Sequence, residues 1–125
     1  RLTPATARRQ AAIVTAAWSD LDKDADSAPA KLRKGPRGGG RDRDKMLDHV
    51  LGAEAAFARK IGVRHKAPPI DDRAAIDALR EEILGVLRKA SDGAPPVLKG
   101  WPVRYAARRI AWHALDHAWE MQDRS

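Results

Sequence analysis

The sequence of 125 residues contains no cysteine. This absence excludes disulfide bonds, thiolate metal ligands and a thiol nucleophile supplied by the chain itself. No stretch is long and apolar enough to span a membrane, and no signal peptide is recognisable, so we expect a cytoplasmic protein that does not bind membranes. Because the first residue is Arg1 and not methionine, we also expect a piece of a longer or processed chain.

Aromatic residues are scarce, at 5% of the sequence, and β-branched residues are few. Alanine and arginine are abundant instead, a composition that favours helix throughout. The net charge is +7. Such a charge favours nucleic acid, anionic membranes or acidic small molecules as partners, but a basic fragment of a more acidic protein would show it too.

Apolar residues recur at spacings of three and four in four segments, each bounded by typical helix-capping or helix-breaking residues. The predicted segments run from Thr3-Pro4 to about Ala25, from Asp42 or Asp44 to Gly62, from Asp71 or Asp72 to the stop at 91–93, and from Pro102 to the end of the chain. Four helices in this length predict an all-α four-helix bundle, with residues 1–125 forming a single domain. The direction of the connections cannot be inferred from the loops.

The last predicted helix is apolar over an unusually wide arc, which is typical of a central element. One apolar stripe consists of Val103, Ala106, Ala107, Ile110, Ala114, Ala118 and Met121. Tyr105, Trp112 and Trp119 form a second stripe, and we expect Trp112 and Trp119 to pack, with a subunit interface of a homodimer as one option.

A basic, glycine-rich loop within the domain spans residues 31–45, with seven lysines and arginines and four glycines. Segments of this kind can bind RNA or phosphate groups. This one has no aromatic residue to stack on a base, and it contains Asp42 and Asp44. We therefore favour a solvated loop and keep a nucleic-acid or phosphate-binding module as an alternative function.

Three of the four histidines fall on predicted inner faces. His113 and His117 are four residues apart on the last helix, so their side chains project from adjacent turns, and the pattern places His49 on the buried face of the second helix. Three buried imidazoles are costly unless each finds a partner. One divalent metal ion would satisfy all three, whereas the alternative is a separate hydrogen bond for each. The fourth histidine, His65, lies in the loop after Gly62.

The segments DHVLGAE (residues 48–54) and WHALDH (residues 112–117) resemble the DinB superfamily. The resemblance implies a four-helix bundle in which His49, His113 and His117 hold a divalent metal such as Zn or Ni. It further implies a thiol-dependent S-transferase or isomerase of the maleylpyruvate isomerase type, with a small-molecule thiol and an electrophilic substrate as partners. The composition is similar to that of a high-GC actinobacterium, which favours mycothiol over bacillithiol or glutathione. Many members of the family have no known activity, so a non-catalytic, metal-stabilised domain stays open.

Two charged residues share the face of His113 and His117. Arg109 is suited to bind a carboxylate of the thiol cofactor or the substrate, and we expect it near the mouth of an open site. Glu120 is suited to orient a ligating histidine or to act as a base. The alternative for both is an ordinary ion pair within the bundle.

Overall fold

Four α-helices make up the parts of the chain that this computed structural model describes, which are residues 1–28 and 42–123. They are α1 (Pro4–Ser27), α2 (Arg43–Arg59), α3 (Arg73–Leu87) and α4 (Val103–Asp123). The only β-type pairing among the described residues is a single antiparallel bridge between Leu2 and Ser91. The all-α prediction is therefore confirmed, and so is the number of helices.

The starts of α1 and α3 follow from capping residues in the sequence, whereas α3 ends at Leu87, before the stop that we predicted at 91–93. The side chain of Thr3 accepts a hydrogen bond from the backbone N–H of Thr6, and that of Asp72 accepts one from the N–H of Ala75. These bonds satisfy backbone donors that have no partner inside the first turn. Gly62 follows α2 with a φ of 88°, the left-handed conformation that glycine adopts without strain.

The contacts between helix ends define the topology. Gln122 near the end of α4 donates to Asp24 near the end of α1, so these two helices run in the same direction. The start of α4 lies at the end of α2, where Trp101 N–H donates to the carbonyl of Lys60, and these two helices are antiparallel. Because Arg73 at the start of α3 binds Asp22 near the end of α1, residues 60–72 must cross the length of the bundle. The order is up, down, down, up, with one long crossover.

Helix α4 is the central element, as predicted, because it packs against each of the other three helices and forms the two most extensive contacts of the bundle, with α1 and α2. Every member of its predicted apolar stripe, from Val103 to Met121, is buried. Its second stripe lies at the surface, where Tyr105, Trp112 and Trp119 are 43%, 62% and 49% exposed.

The predicted inner face of α2 is partly wrong. The sequence pattern predicts an inner face formed by Met46, His49, Val50, Ala53, Ala56 and Phe57. Met46 and Val50 are buried, but His49 and Ala56 are exposed, and the buried face also includes Leu51, Glu54, Ala55 and Ala58. Alanines occupy four positions around this helix and mark no direction, because their small side chains fit either face. The expectation that three imidazoles are buried together therefore fails for His49.

The basic loop is described only at its C-terminal end. Residues 43–45, which we assigned to the loop, form the first turn of α2, and Arg43 donates to the carbonyl of Ala28. Residues 29–41 lie outside the described part of the chain. None of the described helices has the length and apolar character needed to cross a membrane.

Candidate metal centre

The antiparallel packing of α2 and α4 brings three histidines together. His49 lies in the first half of α2, and His113 and His117 lie in the second half of α4. The ring centroid of His49 is 5.3 Å from that of His113 and 5.1 Å from that of His117. The centroids of His113 and His117 are 4.6 Å apart.

The three imidazoles form a group that can hold a metal ion. One nitrogen from each ring can be chosen so that all three lie within 4.8 Å of one another. Nitrogens that bind one ion at about 2.1 Å are separated by roughly 3–4 Å, so this limit is slightly wider than a bound ion requires.

Burial increases from one histidine to the next. His49 is exposed, His113 is half-buried and His117 is 8% exposed. Burial, and then the nearby His117, His49 and Arg109, lower the pKa of His113 to about 4. Nδ1 of His113 is buried and has no hydrogen-bond partner among the described residues. A neutral ring with an unpartnered nitrogen suits a metal ligand, which must offer a lone pair.

Glu120 contacts the most buried histidine of the group. Its Oε1 lies 2.9 Å from Nδ1 of His117. An ionised carboxylate only accepts hydrogen bonds, so it favours the tautomer in which Nδ1 carries the proton and Nε2 keeps its lone pair. This geometry matches the orienting role considered for Glu120 more closely than the role of a base.

An aromatic wall extends from His113 toward the start of α4. The ring of Phe57 meets His113 edge-on at 5.4 Å, Trp101 lies 5.5 Å from Phe57, and Tyr105 lies 4.9 Å from Trp101. The guanidinium of Arg109 is 5.6 Å from the centre of the Phe57 ring. Arg109 therefore lies beside the histidine group. The position of Phe57, Trp101 and Tyr105 next to this group was not predicted from the sequence. Phe57 lies eight residues after His49, on the same face of the helix. This spacing is the sequence feature that could have placed Phe57 near the histidines.

A second polar cluster, which was not predicted from the sequence, lies on the other side of α2. Glu54 is fully buried and accepts a hydrogen bond of 2.7 Å from the indole N–H of Trp18. Arg80 lies over the Trp18 ring at 5.2 Å and donates two hydrogen bonds to Asp22. Burial raises the pKa of Glu54 to about 7, although the charge of Arg80 and the Trp18 hydrogen bond oppose the shift. The available signal was a glutamate inside an otherwise apolar arc of α2.

The fourth histidine is separate from the group. His65 lies in the crossover, where its Nδ1 is 2.8 Å from the carbonyl oxygen of Lys66 and its Nε2 is 3.8 Å from a carboxylate oxygen of Glu82. His65 thus offers a matched control for each histidine of the group.

Comparison of the chain with known protein families, curated proteins and solved structures finds no match. The DinB resemblance therefore stays a prediction, and the site has to be argued from its own geometry.

Proposed function

We propose that this protein binds one divalent metal ion, Zn²⁺, Ni²⁺ or a similar ion, through His49, His113 and His117. The main support for the proposal is that one nitrogen from each of the three imidazoles lies within 4.8 Å of the other two. The buried Nδ1 of His113, which has no hydrogen-bond partner among the described residues, adds to it. Three imidazole nitrogens with no carboxylate among them are a donor set that suits late first-row divalent ions.

We further propose that the protein is a thiol-dependent S-transferase or isomerase of the DinB type. A bound divalent ion would supply Lewis acidity and hold an external thiol as its thiolate. The chain has no cysteine, so the thiol has to come from a small molecule such as mycothiol. The exposure of His49 supports access for such a molecule from solvent.

The residues of this chain would have distinct roles in that reaction. Glu120 would orient His117 through Nδ1, as outer carboxylates do for ligating histidines. Arg109 would bind a carboxylate of the thiol or of the electrophilic substrate, next to the aromatic wall formed by Phe57, Trp101 and Tyr105. That wall would exclude water from one side of the site and provide an apolar surface for the substrate.

Spectroscopy of the Co²⁺-substituted protein tests the thiol step. Addition of mycothiol should produce a sulfur-to-metal charge-transfer band, and His65→Ala, which leaves the group intact, should behave like the unaltered protein. A Co²⁺ spectrum that does not change with mycothiol, bacillithiol or glutathione would exclude the transferase. The metal site would then be a stabilising element of a protein without thiol chemistry.

A further inference from the structure

A groove between α1 and α4 lies outside the histidine site. It encloses about 430 Å³ and is lined by one face of each helix. On α4 the lining residues follow each other at helical spacing: Arg104, Ala107, Arg108, Ala111, Trp112, Leu115 and Trp119. His113 and His117 lie on the opposite face of α4, since successive residues of a helix are rotated by about 100°. A ligand in the groove would therefore not touch the histidines.

The groove has a basic end and an apolar end. Because α1 and α4 run in the same direction, Arg9, Arg104 and Arg108 lie nearer the start of the two helices, and Ile13, Trp112 and Trp119 lie further along them. The rings of Trp112 and Trp119 are 6.2 Å apart. The three arginines are exposed, and no acidic residue is among the described residues that line the groove. Ile13, Trp112 and Trp119 are 57%, 62% and 49% exposed, which is high for large apolar side chains that lie next to each other.

We propose that this groove binds a single-chain anionic amphiphile, such as a long-chain carboxylate. Its headgroup would pair with Arg104 and Arg108, and its apolar chain would cover Ile13, Trp112 and Trp119. The sixteen residues from Arg104 to Trp119 span about 22 Å of helix, which is comparable to an extended long-chain acid. The volume falls within the range of small-molecule sites.

A second copy of the chain fits this groove less well. In a two-fold arrangement each copy would place its own Arg104 and Arg108 against the partner's groove, where the described lining offers no carboxylate. Buried arginines without a counter-charge are strongly unfavourable. An anionic headgroup supplies that charge, and the apolar chain removes the exposed tryptophans from water.

Titration of the full chain with dodecanoate, below its micelle-forming concentration, tests the proposal. The exposed Trp112 and Trp119 should shift their fluorescence to the blue, and calorimetry should give a stoichiometry of one. Each methylene removed from the chain should weaken binding by about two- to fourfold. The double variant Arg104→Ala/Arg108→Ala should weaken it by about tenfold. Trp112→Ala, at an exposed position that should not affect folding, should weaken it by a similar factor.

The matched control is Arg59→Ala/Arg64→Ala, which removes the same charge from outside the groove and should leave the affinity unchanged. Equal weakening by both double variants would mean non-specific attraction and overturn the proposal. Equal affinity for the cationic amphiphile dodecyltrimethylammonium would also overturn the proposal, because binding would then not depend on a negatively charged headgroup. A stable dimer in sedimentation that excludes dodecanoate would assign the groove to a second copy instead.

Discussion

Helix α2 carries two polar clusters on opposite sides, and they differ in how their groups are balanced. Toward α1 and α3, Glu54 lies in a cluster of mixed charge, with Arg80 held by Asp22 and the Trp18 indole bound to Glu54. On the side that faces α4, His49 lies next to two further imidazoles, those of His113 and His117. Opposite charges stabilise each other, whereas three imidazoles repel one another when they are protonated.

This difference separates a structural cluster from a ligand site. In the Glu54 cluster both the cation and the carboxylates come from the chain itself, and Oε2 of Glu54 and Nε of Arg80 are buried without a hydrogen-bond partner among the described residues. The three histidines bring no opposite charge of their own, and one external cation would bind a lone pair from each of them. Burial by itself does not identify the metal site, because Glu54 in the structural cluster is fully buried whereas the candidate ligand His49 is exposed.

The largest expected change in stability follows the loss of Arg80. Its side chain is 9% exposed, and Arg80→Ala leaves Asp22 and Glu54 without their nearest buried cation. We expect the free energy of unfolding to fall by about 3 kcal/mol, measured by urea denaturation of the metal-free protein. The control Arg88→Ala breaks the exposed pair with Glu81 and should cost less than about 1 kcal/mol. If Arg80→Ala also abolished metal binding, the two clusters would not be independent.

The next effect concerns the pH dependence of stability. Burial raises the pKa of Glu54 from 4.5 to about 7. Between these values the folded state binds more protons at Glu54, so this residue's contribution to the free energy of unfolding should fall as the pH rises, by at most roughly 3 kcal/mol, and be lost above pH 7. The lowered pKa of His113 acts in the opposite direction between about 4 and 6.5, so the two effects are separated by comparison with a variant. Glu54→Gln keeps the shape of the side chain but cannot ionise, so the fall due to Glu54 should be missing from its curve.

The measurement is a series of urea denaturations between pH 5 and 8. Glu81→Gln, at a side chain that is 70% exposed, should keep the fall. The assignment to Glu54 would be wrong if Glu54→Gln showed the same slope as the unaltered protein.

The smallest of these effects is expected at Glu120. Glu120→Ala removes the carboxylate from Nδ1 of His117 and should lower metal affinity by about 10- to 100-fold. Glu120→Gln keeps a hydrogen-bond acceptor but removes the charge, so it should lower metal affinity less than Glu120→Ala does. Competition with a chelator measures both. Glu82→Ala, which removes the carboxylate next to His65, should have no effect, and an equal loss there would mean that the Glu120 contact has no special role.

The sequence predicted the helices well because their limits depend on local chemistry. Thr3 and Asp72 cap helices through their own side chains, and the stripe on α4 contains residues large enough to define a face. The spacing of His113 and His117 on α4 likewise predicted that they would be neighbours. Each of these features depends on residues within about one turn.

The features that the sequence did not predict depend on which helix faces which. The alanines of α2 left its orientation undetermined, so His49 was placed in the core and Glu54 was overlooked. The crossover by residues 60–72 cannot be recognised from its length alone. The meeting of Phe57, Trp101 and Arg109 beside His113 also requires that α2 and α4 be antiparallel.

Metal stoichiometry of the full chain and its histidine variants shows whether His49, His113 and His117 form one metal site. After dialysis against Zn²⁺ or Ni²⁺, elemental analysis should give one ion per chain for the unaltered protein and for His65→Ala. His49→Ala, His113→Ala and His117→Ala should each lower the affinity by more than the roughly 100-fold expected for an outer-shell partner. His49→Ala is the cleanest variant, because this side chain is exposed and its loss leaves no cavity. If the unaltered protein retained no ion, or if His65→Ala lowered metal affinity as much as the other three variants, His49, His113 and His117 would not form the metal site.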